Sequence, residues 1–243
     1  MRTALVAGLG LIGAVGIALR RRGWHVRYLD PHVSLEDARR AGAADARANG
    51  DEDLVVLATP VDVAVELVPT FAGKLVTSVC SVMRPLRDAA RENFVAGHPM
   101  AGWHEGGLGN AHHVRLEDAS WFLDADDARV EELVRDCGAR PIHVDAKEHD
   151  TAVALTSHLP QVLSTALFAY LSDKDVEKFA GAGLRSFRLA ASDGEMWHSV
   201  LAANRDNLRP HADTIAQLVR AIIEGDERDA FARAAALWRA LTE

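Results

Sequence analysis

Apolar and polar positions along the first 144 residues alternate in short blocks. Runs of four or five apolar residues at 3–7, 25–29, 54–58, 75–79, 94–97, 120–123 and 141–144 have the length of buried strands. Amphipathic stretches such as 11–22 and 128–137 separate most of them and read as helices. Strand–helix alternation of this kind predicts a parallel sheet covered by helices on both faces. From about Lys147 the strand signal stops. Segments 151–171, 192–208, 212–224 and 226–241 carry helical periodicity, with Ser192 as an N-cap, Glu195 as its capping-box partner and Pro160 as a kink inside the first helix. The pattern divides the chain into an α/β domain over residues 1–146 and an all-helical domain over residues 147–243.

The helical half is more apolar than a small bundle is able to bury. Leu163, Leu167, Phe168, Ile215, Leu218, Ile222, Phe231, Leu237 and Trp238 all fall in it, so a second copy of the chain is the expected cover and a homodimer through these helices is predicted. Composition narrows the remaining classes. The 243 residues are 49% hydrophobic with a net charge of −8, and no basic patch suits nucleic acid. No apolar run approaches 18 residues, so a membrane span is not expected. The chain opens directly into the strand-like 4–7 segment, without a signal-peptide pattern. Cys80 and Cys137 sit among apolar residues and read as buried thiols of a reducing compartment, which points to the cytoplasm.

Two patterns carry chemistry. Gly8-Leu9-Gly10-Leu11-Ile12-Gly13 follows a predicted strand and opens a predicted helix, and Asp30 ends the next strand. In that context the glycines permit a tight turn and close approach of the backbone to a pyrophosphate at the helix N-terminus. Asp30 is placed to accept hydrogen bonds from an adenosine ribose. A carboxylate there repels a 2′-phosphate, so NAD is favoured over NADP. Thr59-Pro60 closes a later strand, where a loop passes over such a cofactor. These features define a Rossmann-type N-terminal half. The second pattern is His98-Pro99-Met100-Ala101-Gly102, placed where the run 94–97 ends. An imidazole with an ordinary pKa near 6.5 suits proton transfer at neutral pH. His112-His113, near His104, lack a cysteine or carboxylate to complete a metal set and read as a solvated loop; no metal is expected.

Taken with Ser81, the Ser157-His158-Leu159-Pro160-Gln161 segment, Gly181 to Phe187, and Ser192-Asp193-Gly194-Glu195-Met196-Trp197, these motifs resemble the prephenate/arogenate dehydrogenase family over almost the whole chain and in the family's order. The resemblance implies NAD-dependent oxidative decarboxylation of a cyclohexadienol in tyrosine biosynthesis. It makes His98 the base at the ring hydroxyl and Ser81 the residue that orients that hydroxyl. Arg188 becomes the binder of the substrate carboxylate, with Arg185 as the alternative, while His158 and Gln161 face the substrate. Trp197 is expected in packing.

The chain departs from the family pattern at five places. Ser78 stands where the family has an acidic residue, Met83 where it has a lysine, Trp103 and His104 where it has threonine and glutamate, and Ser186 where it has an aspartate. Charge is thereby stripped from around the pocket. An amino analogue such as 4-amino-4-deoxyprephenate is therefore an alternative substrate. A β-hydroxyacid or imine-reducing dehydrogenase and a non-catalytic NAD sensor are the competing readings.

Overall fold

A computed structural model describes residues 2–242 apart from Arg91, His104, Asp193 and Asp226. The chain forms two compact units, Met1–Asn204 and Arg205–Glu243.

In the first unit a six-stranded sheet is all parallel. Its strands are β1 (Thr3–Ala7), β2 (His25–Leu29), β3 (Ala46–Arg47), β4 (Leu54–Leu57), β5 (Leu75–Ser78) and β6 (Phe94–Val95), in the order β3-β2-β1-β4-β5-β6. Successive side chains of a strand face opposite sides, and here both sides are covered. Ala4, Val6 and Val56 join Val15 and Leu19 of helix α1 (Ala14–Arg21) in one core. Leu5, Ala7, Val55 and Leu57 join the other, with Val61 and Ala64 of α2 (Val61–Leu67) and Leu86 of α3 (Arg84–Ala89). A short helix, Leu35–Arg40, follows β2 and is capped by the Ser34 hydroxyl, which accepts from Asp37 N. The sheet reverses direction of growth between β1 and β4, and a crevice opens outside the carboxyl ends of strands at such a switch point. Gly16 in α1 lets that helix lie against the Ala43 carbonyl: a Cβ there would sit 2.1 Å from Ala43 O.

The apolar run 94–97 is not one strand. It breaks at Ala96, and residues beyond it form β7 (Gly97–Pro99) in a separate three-stranded sheet with β8 (Ser120–Leu123) and β9 (Arg140–His143). β7 runs antiparallel to β8, and β8 parallel to β9. His98 therefore lies inside a strand, paired with Phe122, rather than just past a strand end. The break is fixed by Asp124, which accepts the Ala96 N–H at 2.7 Å and is clamped by Arg87. Helix α4 (Ala128–Asp136) begins at Asp127, whose side chain accepts from Arg129 N and Val130 N.

After β9, α5 (Ala146–Val153) starts five residues earlier than the periodicity predicts, capped by Asp145. It continues through a π turn, Ala154–His158, into α6 (Leu159–Leu171). Pro160 falls in the first turn of α6, where a missing N–H matters least, so the irregularity sits before the proline. This 26-residue run is long and apolar enough by length and composition to cross a membrane. Its buried positions include the polar side chains of His149, Asp150, His158, Gln161 and Ser164. A short helix α7 (Ala182–Arg185) and a 3₁₀ turn, Arg188–Ala191, lead to α8 (Gly194–Ala203), which starts two residues after Ser192 and stops before Asn204. The Ser192 hydroxyl donates to Gln161 Oε1 at 3.2 Å, and Asp193, between it and the helix, lies outside the described residues.

The second unit is a pair of helices, α9 (Arg205–Glu224) and α10 (Glu227–Thr242). α9 begins seven residues earlier than predicted and runs through Pro210. Neither helix contains a buried residue.

Gly16→Ala tests the helix-to-Ala43 contact. In an open helix this change stabilises by about 1 kcal/mol. Here the sign reverses, with an expected loss of about 1–3 kcal/mol from overpacking, read as a lower midpoint of urea unfolding.

Candidate active site

The loop after β1 is built for close approach. Gly8 has φ +94°, and a Cβ there would lie 2.6 Å from Ala58 O and 2.9 Å from Thr59 Cγ2. The Gly8–Gly13 loop and the Ala58–Pro60 segment therefore touch at the switch point. A Cβ on Gly10 would meet nothing within 4 Å, so this peptide faces open space. Leu11, Ile12 and Gly13 form a 3₁₀ turn leading into α1. Asp30, at the end of β2, accepts Leu9 N–H and His32 N–H, each at 2.8 Å. Its carboxylate is thus fixed beside the glycine loop and half-buried. Thr59 Oγ1 is buried without a hydrogen-bond partner among the described residues, and Pro60 stands at the N-cap of α2. A cradle without side chains, a fixed acceptor and an unpaired hydroxyl together fit a dinucleotide.

His98 lies on the other sheet, in β7. Its Nδ1 is 2.9 Å from His149 Nε2, and His149 Nδ1 is 2.9 Å from Asp150 Oδ1. Asp150 is fully buried and accepts two further bonds, from Met83 N at 2.8 Å and Arg84 N at 2.9 Å. Asn204 Nδ2 donates to Asp150 O at 2.8 Å and lies 3.1 Å from His158 Nδ1. His158 is buried, packs edge-on to Trp197, and has an Nε2 without a partner among the described residues. Burial first, then the neighbouring His149 and His158, push the His98 pKa down to about 3. Burial also lowers His158, to about 4, with Asp150 opposing and His149 assisting. His98 is an uncharged imidazole at neutral pH, a state able to accept a proton.

Ser81 follows β5 and is half-buried, two residues before Met83, whose backbone N–H Asp150 accepts. Ser78 links β5 to β7: its Oγ accepts Gly97 N–H at 3.1 Å and donates to Gly97 O at 3.2 Å. Met83 is fully buried, and its backbone N–H rather than its side chain serves the site. Gln161 is buried with its amide donating to Leu189 O and Thr165 Oγ1. Arg188, one residue from Leu189, is exposed and forms no ion pair among the described residues. Ser186 donates to Gly183 O within its own turn, so it offers Arg188 no charge. Trp103 stacks on His113 with ring centroids 4.6 Å apart, and His104 lies outside the described residues. Cys80 and Cys137 are buried free thiols; burial pushes Cys80 up to about 12 and raises Cys137 as well. Asp126, Glu131 and His143 form a surface cluster with metal-ligand types, in which His143 already pairs with both carboxylates.

His149 and Asp150 were not among the residues picked out by motif. Their signal is positional. Ala146, His149, Asp150 and Val153 form the buried i, i+3, i+4, i+7 stripe of α5, and two ionisable residues on such a stripe require partners.

A switch-point loop for a dinucleotide and an uncharged buried histidine define a dinucleotide-dependent oxidoreductase. Residues 15–142 match the family described as "Prephenate dehydrogenase, nucleotide-binding domain", and residues 145–236 match "Prephenate dehydrogenase, dimerization domain". The chain belongs to the prephenate dehydrogenase family. It is 30% identical to the prephenate dehydrogenase of Lactococcus lactis, over 89% of this chain and 71% of that protein. It is 29% identical to that of Bacillus subtilis, over 87% of this chain and 66% of that protein. Among solved structures, prephenate dehydrogenase from A. aeolicus in complex with hydroxyphenyl propionate and NAD+ shares the fold at a TM-score of 0.80 and 23% identity, covering 100% of this chain and 99% of that one.

The lowered His98 pKa has a stability consequence. The unfolded histidine takes a proton below about pH 6.5, whereas the folded one resists until about pH 3. Its contribution to stability is therefore complete above pH 6.5 and declines as pH falls toward 3. Between pH 7 and pH 5, wild type is expected to lose more stability than His98→Asn, measured by urea unfolding at each pH.

Proposed function

We propose that the chain catalyses the NAD-dependent oxidative decarboxylation of prephenate or arogenate in tyrosine biosynthesis, in the cytoplasm. The observation that carries this reading is His98: buried, uncharged at neutral pH, and anchored through His149 to Asp150. Gly8 to Gly13, Asp30, Thr59 and Pro60 hold the dinucleotide, with Asp30 favouring the unphosphorylated ribose of NAD. Bound NAD supplies the hydride acceptor. His98 takes the proton of the ring hydroxyl as the hydroxyl carbon is oxidised and the ring carboxylate leaves as carbon dioxide, so that the ring becomes aromatic. Ser81 orients the hydroxyl. Arg188, exposed and without an ion-pair partner, receives a substrate carboxylate, and a guanidinium does so with two parallel bonds. His158, with its unpaired Nε2, offers the pocket a further polar group. Gln161 supports it by holding the Leu189 carbonyl next to Arg188.

A second substrate, the 4-amino analogue, is supported by Ser78 and Met83, whose uncharged side chains are buried in structural contacts. The assay follows NADH absorbance with prephenate, arogenate and the amino analogue in turn. Turnover of prephenate or arogenate is expected, and His98→Asn should lower kcat by about 10²- to 10⁴-fold, the usual share of a general base, while NAD still binds. Turnover of none of the three defeats the reading.

The chain acts as a homodimer in this proposal, with residues 1–146 carrying the nucleotide and 147–243 the dimer contacts. Support comes from the match to a dimerization domain and from α9 and α10, which leave Ile223, Phe231, Trp238 and Leu241 uncovered. Trp238→Asp should shift the protein from dimer toward monomer in sedimentation velocity; a wild-type monomer would overturn it.

A further inference from the structure

The hydrogen-bond chain behind His98 fixes more than its position. Asp150 accepts at both carboxylate oxygens: Met83 N–H and His149 at Oδ1, Arg84 N–H at Oδ2. A carboxylate has no proton to give, so the proton of the Asp150–His149 contact belongs to His149 Nδ1. In its neutral form His149 carries that one N–H, at Nδ1, and its Nε2 is a bare acceptor. The 2.9 Å contact between His149 Nε2 and His98 Nδ1 then requires the proton on His98 Nδ1. His98 Nε2 is left with its lone pair, and no described protein group bonds to it.

We infer that His149 and Asp150 are positioning residues that hold His98 in the Nδ1–H tautomer and so keep Nε2 as the proton-accepting atom. This rests on the reading of His98 as the base. The device extends past tautomer choice. When Nε2 accepts the hydroxyl proton, its new N–H bond forms as the O–H bond breaks, and the positive charge that results on His98 faces His149 through Nδ1–H. His149 in turn presents its own Nδ1–H to the Asp150 carboxylate. Charge developing at the reacting end is thereby met by a buried anion two rings away. A buried aspartate behind a single catalytic histidine does the same in serine proteases, where the wrong tautomer lowers kcat by about 10⁴-fold. Here a second imidazole is interposed. Phe122 packs edge-on to His149 at 5.5 Å and His98 itself meets His149 edge-on at 5.1 Å, so the middle ring is held from both sides. His158 and Asn204 are the other polar groups facing the cluster.

The test reads the tautomer directly. Protein labelled with 15N-histidine, its His98 signals assigned by comparison with His98→Asn, is examined by long-range 1H–15N correlation at neutral pH. His98 is expected to be protonated on Nδ1; protonation on Nε2 overturns the inference. His149→Leu removes the acceptor and should release His98 to the Nε2–H form, lowering kcat by about 10²- to 10⁴-fold with KM little changed. His149→Gln, whose carbonyl oxygen is able to accept from Nδ1–H, should restore the tautomer and part of kcat. A merely structural role predicts equal losses for Leu and Gln and no change of tautomer. If His149→Leu fails to fold, the wild-type and His149→Gln spectra still decide. The spectrum needs no substrate, so absence of turnover counts against the proposed reaction alone, and an Nε2–H signal in an active enzyme counts against the relay alone.

Discussion

The burial of the Asp150 carboxylate is the constraint on which the site depends. An ionised group removed from water is strongly unfavourable unless its oxygens are bonded. Asp150 meets this with N–H groups from two places in the chain: the entry to α3 at Met83 and Arg84, and the adjacent His149. Its backbone carbonyl receives Asn204 at the end of the first unit. One residue thus ties together the segment after β5, the first helix after the second sheet, and the last residue before α9. The segment that carries Ser81 and the imidazole that touches His98 are located by the same carboxylate.

The departures from the family pattern acquire a physical meaning in this frame. Met83 replaces a charged residue with a buried apolar one, yet the position still acts through its backbone N–H. Ser78 gives both a donor and an acceptor to Gly97, fastening the six-stranded sheet to the three-stranded one. The nucleotide loop belongs to the first sheet and His98 to the second. They are joined by side-chain bonds of this kind, by the chain through Ala96, and by a shared core in which Trp121 and Leu123 pack with Val6 and Val56.

Much of the architecture was legible in the apolar pattern. β1, β2 and β8 have the bounds that their runs predict: β1 is buried along nearly its whole length, whereas β2 and β8 bury every second residue. The two-residue β3 escaped notice because Ala46–Arg47 has no run of its own. The segment 94–97 was misread as one strand because hydrophobicity records burial, not which sheet a residue joins; the break at Ala96 is made by Asp124, distant in sequence. The start of the first C-terminal helix was placed too late because His149 and Asp150 interrupt its apolar stripe. The same pair marks the part of the site that motif reading did not reach. Glycine spacing and His98 are local signals, whereas the His98–His149–Asp150 series depends on a contact between residues 51 positions apart.

The break at Ala96 also sets a length. A single residue separates β6, in the sheet that carries the Gly8–Gly13 loop, from β7, which bears His98. Arg87 holds Asp124, Asp124 holds the Ala96 amide, and Asp124 N returns a bond to Ala96 O. The fold behaves there as a caliper with one jaw on each sheet, its opening locked by a buried, clamped carboxylate.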